Sequence, residues 1–369
     1  MSDITQGAPV AAPVPRRPPP EVAQGWTAVI RKNYFDSWQN GALTVLIAWA
    51  LLVTLPRLLK WAVIDAVWRG DAADCHAALG ACWAVVEEKW RVMVFGTYPY
   101  DQQWRAALTV GLILALAVFT AWRRPRARTA TALWLAGMAS SLALMAGGVF
   151  GLEPVGTYQW SGLPLTLMMF VGTVALGVPL GVVLALGRQS TMPIVKAVCV
   201  GFIEIARGLP LVTVLFMASL MIPLFLPQGV TVDKVLRAQV AMTLFFAAYA
   251  AEIVRGGLQV IERGQFEAAD AIGLTYRQKM TRVILPQVGR VVLPSMMNEV
   301  IRAFKNTTFI GIIGLFDVLR ATSIALQDPV WVQYSIEAYL FICLLYFGLC
   351  FAMSKFSRSV ERELNVRRQ

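Results

Sequence analysis

Eight stretches of this chain are apolar for long enough to be read as membrane-crossing helices, at about 41–63, 106–122, 130–150, 162–187, 197–225, 236–257, 288–310 and 335–355. A helix crossing the hydrocarbon layer, about 30 Å thick, needs roughly 20 such residues. The run at 106–122 is short, and the run at 288–310 is interrupted by Glu299, Arg302 and Lys305. Composition agrees with this reading: 57% of residues are hydrophobic and only 15% charged, against about 25% charged in an ordinary soluble domain. The expected fold class is therefore all-α, a polytopic integral membrane protein of about eight transmembrane helices.

The formal net charge of +11 need not mean nucleic acid, because Lys and Arg collect in cytoplasmic loops. With both termini cytoplasmic, the inside segments hold 20 Lys and Arg and the outside segments 6, and "RRPRAR" at 123–128 is the sharpest marker. That imbalance predicts the orientation. Residues 1–40 read as a disordered, Pro-rich cytoplasmic tail, with six prolines among the first 20 residues. Residues 41–160 form an N-terminal extension of three spans with an outside loop at 64–105. A core of five spans follows at 161–357, and 358–369 is a basic cytoplasmic tail.

Cys75 and Cys82 lie in that outside loop, within "DCHAALGACW". On a continuous helix they would stand about 10 Å apart, too far to bond, but Gly80 allows a turn. Two free thiols and a disulfide both remain open. The chain has one histidine, His76, too few for a zinc site with three or four ligands. No Gly-Lys pair occurs, so there is no P-loop, and Gly-x-Ser-x-Gly is absent. No metal, cofactor or catalytic residue is expected.

One charged stretch stands out, "QFEAADAIGLTYRQKMTRVILPQ" at 265–287. Phe266, Ala269, Gly273, Tyr276, Met280 and Ile284 recur on a helical period and predict one apolar face. Gly273 divides the stretch into two helical pieces. Acids lead and bases trail, which suits the helix dipole. A helix lying on the membrane surface is one reading.

The residues also match a motif. Glu267, Ala268 and Ala269, then Gly273, then Val283, Leu285 and Pro286 resemble the EAA loop of ABC importer permeases, with Val in place of the usual Ile. The likeness extends over about 161–364 to the polar amino-acid permeases of the histidine/glutamine type, through "FIEIARGLPLV" at 202–212, "YAAEIVRGGLQVIERGQFEAADAIG" at 249–273 and "FKNTTFIGIIGLFDVLR" at 304–320. The family's Lys-Asp-Thr-Ser is here Lys305, Asn306, Thr307 and Thr308. Residues 1–160 look like the extension of the M-type permease subunit of general L-amino-acid importers.

The resemblance implies a type I ABC importer permease core in the bacterial inner membrane. It implies a periplasmic amino-acid-binding protein, a second permease subunit of paralogous sequence, and two ATP-binding subunits engaged by the EAA loop. An opine or other small polar solute is the alternative cargo, and an ATP-independent channel or secondary transporter is the alternative class.

Three Glu-x-x-Arg pairs stand in or beside spans: Glu204/Arg207, Glu252/Arg255 and Glu299/Arg302. Residues three apart share a helix face, so each pair can neutralise itself. A charge in the bilayer costs about 3 kcal/mol. Its retention has two readings, an ion pair that permits insertion or the lining of a solute path. Glu204, Arg207, Glu299, Arg302, Lys305, Thr307 and Thr308 are the candidates for the path, and Glu252/Arg255 reads as the structural pair.

Overall fold

A computed structural model of the protein describes residues 26–149 and 151–366. Among them there are helices and two isolated bridges, and no extended strand. Six helices are long and apolar enough to cross a membrane, and a seventh span arises if one bent pair is counted. The expected eighth is α14 below, long enough at 22 residues but too rich in charge to qualify by composition.

Packing divides the chain into two units, Met1–Ala66 and Val67–Gln369. The first contains α1 (Trp26–Tyr34) and α2 (Trp38–Leu59), the latter continued as a π-helical turn to Ile64. Ser37 caps α2, its hydroxyl accepting from the Asn40 amide at 3.3 Å. Residues 1–25 of the expected disordered tail lie outside the described residues. Residues 26–34 are helical, because the proline-rich composition ends at Pro20.

The second unit begins with α3 (Ala72–Ala77) and α4 (Ala84–Phe95), followed by α5 (Gln103–Arg123) and α6 (Ala127–Ala146). These elements do not stand apart from the core, so the expected boundary at 160/161 is not where packing divides. α4 packs on α7 (Gly162–Arg188) and α5 also meets it. The Ser161 hydroxyl accepts from the Thr97 amide at 2.8 Å and donates to the Phe95 carbonyl at 2.9 Å. The wholly buried Arg105 donates to the carbonyls of Leu144 and Glu153 at 2.6 and 2.9 Å. These bonds offset much of the cost of burying the charge, and Nη2 alone has no partner among the described residues.

Cys75 and Cys82 are joined by a disulfide with Cα atoms 5.5 Å apart. The helix that would have kept them apart ends at Ala77, and the backbone turns through Ala78–Ala81. Cys82 is buried, and its amide donates to Glu337 Oε1 at 3.1 Å. Nearby, Lys89 pairs with Asp328 at 2.9 Å and holds that carboxyl below its ordinary range. The small closed loop limits the unfolded chain by about 2–3 kcal/mol. Replacing both cysteines by serine should therefore increase protease cleavage within 67–98 of the purified protein, with cleavage elsewhere unchanged.

The core continues with α8 (Pro193–Gly208), α9 (Leu211–Phe216), α10 (Ile222–Phe225) and α11 (Lys234–Val260). The span expected at 197–225 is broken: Pro193–Gly208 and Leu211–Phe225 meet at 108°. Leu209 is extended at φ −98°, ψ 143°, as the ring of Pro210 requires of the residue before it. α7 and α11 pack tightly through small residues. A Cβ on Gly177 would sit 2.5 Å from the Phe246 ring, and one on Gly181 2.7 Å from Ala250. Such close backbone approach holds helices together where lipid removes the hydrophobic drive.

The remaining helices are α12 (Arg263–Ala271), α13 (Tyr276–Gln278), α14 (Leu285–Asn306), α15 (Val318–Ala325) and α16 (Ser335–Val366). α15 is capped by the buried Asp317, which accepts from the amides of Leu319 and Arg320. Burial pushes its carboxyl up to about 6. The expected basic tail at 358–369 is helical as far as Val366, since α16 meets neither Gly nor Pro there. An ion pair joins Glu363 to Arg124.

Candidate functional site

The stretch 265–287 folds as α12, a turn at Gly273, α13 and a π-helical segment, Lys279–Ile284, leading into α14. Gly273 is left-handed at φ +74°. Its amide bonds the Asp270 carbonyl at 3.0 Å, and the Leu274 amide bonds the Ala269 carbonyl at 3.2 Å. That is the Schellman ending of a helix, and it calls for glycine. A Cβ at Gly273 would meet nothing within 4 Å, so backbone angle rather than crowding selects the residue. Thr275 and Gln278 form a capping box that starts the second piece. Lys279 bridges the bend to Asp270 at 2.6 Å, and Gln287 reaches Gln265 at 3.0 Å.

The apolar face is divided where one continuous face was expected. Ala269, Met280 and Ile284 are buried, and Ala269 aside they join Val254, Leu258 and Val288 in a cluster of α7, α8, α11 and α14, with Phe266 packed against it. Tyr276 is 63% exposed and Ile272 74%. Glu267, Ala268 and Gly273 are exposed too, Leu285 is half-buried and Pro286 exposed. The face turned inward fixes the loop to its own helices. The outward surface includes Glu267, Ala268, Ile272 and Tyr276. Ile272 lay outside the expected face because the turn at Gly273 reorients the chain and breaks the helical period.

Two of the three pairs form as their spacing suggests, Glu252/Arg255 and Glu299/Arg302, and the third does not. Glu204 pairs with Arg188 at 2.9 Å, not with Arg207. Arg207 lies 3.4 Å from Glu252, which also holds Arg255 at 2.5 Å and Arg188 at 3.6 Å. Glu252 is thus a hub tying α7, α8 and α11. Glu299 is buried, and Arg302 lies 2.5 Å from it, the pairing that spacing suggested. Arg302 also sits over the ring of Tyr249, 4.0 Å from its centre. Arg207 stands 5.8 Å from the same ring, and the Tyr249 hydroxyl donates to the Arg207 carbonyl at 3.5 Å.

Arg207, Glu299 and Arg302 are therefore brought together around Tyr249. The other candidates are not. Glu204 is drawn aside by Arg188, Lys305 is exposed, and Thr307 and Thr308 donate to carbonyls one turn back, Phe304 at 2.7 Å and Lys305 at 2.9 Å. Tyr249 and Arg188 were missed in the sequence. Tyr249 lies three residues before Glu252 and so on the same face of α11, a signal that a search for charges passes over. Among the described residues no cluster of metal-binding side chains occurs.

Residues 177–366 match the model of the binding-protein-dependent transport system inner membrane component. The chain is 44% identical over 342 residues to the inner membrane amino-acid ABC transporter permease protein YhdY of Escherichia coli K12, covering 92% of this chain and 93% of that protein. The chain belongs to the family of binding-protein-dependent transport system inner membrane components. It is also 35% identical to the glutamate/glutamine/aspartate/asparagine transport system permease protein BztC of Rhodobacter capsulatus, over 94% of this chain and 96% of that one. A solved amino acid ABC transporter with histidines aligns at TM-score 0.48 and 31% identity, covering 54% of this chain and 90% of its own.

The coverages separate two classes of family member. The glutamate/aspartate import permease GltK of Escherichia coli spans only 53% of this chain with 89% of its own length. YhdY and BztC run nearly end to end with it. GltK thus has no matched counterpart to almost half of this chain. The stretch 265–287 and the charged cluster, from Arg188 to Arg302, fall inside the matched 177–366.

Proposed function

We propose that this family member is the transmembrane permease subunit of an ATP-driven importer of L-amino acids. A periplasmic binding protein delivers the solute, a paralogous second permease completes the path, and two ATPase subunits dock from the cytoplasm. The relatives' names support the solute class, since YhdY is an amino-acid permease and BztC a glutamate/glutamine/aspartate/asparagine permease. The chain itself performs no catalysis and contains no P-loop.

The observation that carries the reading is the divided face of 265–287. A helix merely resting on lipid would present its apolar side outward. Here that side is largely buried on the permease helices, and a small apolar tip, Ile272 and Tyr276, projects beside Glu267. That tip is a plug for a protein cleft, with Glu267, Ala268, Ala269, Gly273, Leu285 and Pro286 as the coupling residues. Closure of the ATPase dimer would move the two loops together and rock the helices as rigid bodies. The solute path runs past Arg207, Glu299 and Arg302.

The test is purification of the chain from cells expressing its ATPase subunit, with ATP-dependent uptake in liposomes. Uptake by the permease alone, without ATP, would refute the reading. Reporter fusions test the orientation. Those after residues 126, 275 and 369 should read cytoplasmic, and those after 85 and 156 periplasmic. A periplasmic signal at 275 would remove the coupling assignment.

A further inference from the structure

We infer that Arg207, Tyr249 and Arg302 form a two-pronged carboxylate receptor that selects amino acids with an acidic side chain. The inference rests on the proposed import of amino acids and names the solute class of that path.

Charge balance carries it first. Four guanidiniums, those of Arg188, Arg207, Arg255 and Arg302, face three carboxylates, those of Glu204, Glu252 and Glu299. Glu252 is shared by Arg255 at 2.5 Å, Arg207 at 3.4 Å and Arg188 at 3.6 Å, so the group keeps one positive charge in excess, and Arg207 is only partly neutralised. An uncompensated charge among membrane-crossing helices is costly. A zwitterionic solute adds no net charge, whereas an acidic amino acid adds one negative charge and closes the balance.

Geometry carries it second. Both guanidiniums lie on Tyr249, at 4.0 and 5.8 Å from the ring centre, so they stand within about 10 Å of each other. Arg207 Nε and Arg302 Nε are buried and have no hydrogen-bond acceptor among the described residues. Buried donors of this kind call for an acceptor. Two carboxylates on one small molecule supply acceptors to both arginines, each through charge-assisted bonds. Arg302 takes the α-carboxylate, with Glu299 beside it for the ammonium, and Arg207 takes the side-chain carboxylate. Tyr249 is the positioning residue. Its ring carries both cations, and its hydroxyl ties the end of α8 just before the 108° break.

The experiment uses the complete transporter, with both permeases, the ATPase subunits and the binding protein, in proteoliposomes. ATP-driven uptake of radiolabelled glutamate and glutamine is measured side by side. The two solutes differ little in shape, and the binding protein is the same throughout, so a change in their ratio belongs to the permease. Arg207→Gln should lower the glutamate-to-glutamine ratio about 30-fold, the low end of the effect of losing one charged partner. Tyr249→Leu should lower it in the same direction, and Tyr249→Phe should restore it by keeping the ring. A ratio is independent of how much protein inserts, so reduced folding does not mask the result. Equal losses of both solutes in Arg207→Gln and Tyr249→Leu would overturn the inference and leave amino-acid import standing. A complete wild-type complex that imports no amino acid would overturn both, and one that imports a basic amino acid but not glutamate would overturn the inference alone.

Discussion

Gly273→Val should insert into the membrane at wild-type abundance and lose nearly all ATP-driven uptake. Gly273 sits at φ +74°, where a β-branched side chain is a steric outlier. The left-handed conformation costs an ordinary L-residue about 1–2 kcal/mol. Valine is expected to relieve that cost by unwinding the turn, because the space around the position is open and nothing resists movement. The Asp270 and Ala269 carbonyls would then lose their partners, and Ile272 and Tyr276 would leave the arrangement that presents them. Damage should stay local, since Met280 and Ile284 remain anchored in the permease cluster. Gly273→Asn provides the control, because asparagine tolerates the left-handed region. It should retain most uptake. Full transport by Gly273→Val would refute a coupling role for the turn, and failure of Gly273→Asn to outperform Gly273→Val would show that something other than φ matters.

The second large effect concerns Arg302. Truncating one member of a desolvated charge pair costs about 2–5 kcal/mol. The Arg302 side chain is 41% exposed, and solvent screening places the effect at the low end. A loss of about 2 kcal/mol corresponds to roughly 30-fold in solute affinity. Arg302→Ala should therefore cut uptake at low solute concentration by about that factor. Glu299 complicates the reading, because it is buried and would lose its guanidinium. A doubly changed protein, Glu299→Gln with Arg302→Ala, leaves no orphaned charge. If membrane abundance recovers in the double variant while uptake stays low, Arg302 serves the solute. If uptake recovers with abundance, Arg302 serves only to neutralise Glu299.

The helical, membrane-embedded character was legible in the sequence because the bilayer imposes it. Length and hydropathy of a run decide whether it crosses, and those are properties of consecutive residues. The two-piece form of 265–287 was legible for a similar reason: glycine between two helical pieces marks a local backbone requirement, met by Gly273 through its own φ.

Interactions between distant segments were decided by tertiary structure alone. Spacing pairs Glu204 with Arg207, but Arg188 comes within 2.9 Å of Glu204 once α7 and α8 pack, and Arg207 is left to Glu252. Tyr249 gains its place because α8 and α14 each bring a guanidinium to it. The span at 197–225 reads as continuous by hydropathy, which is blind to the extended geometry that Pro210 forces on Leu209. The division of the extension at Ala66 follows from Arg105, Ser161 and Cys82 reaching partners up to 255 residues away. Periodicity reports how one helix divides its faces. Which neighbour covers each face depends on packing among all of them, and on that depends whether a charge is a strut or a ligand for the solute.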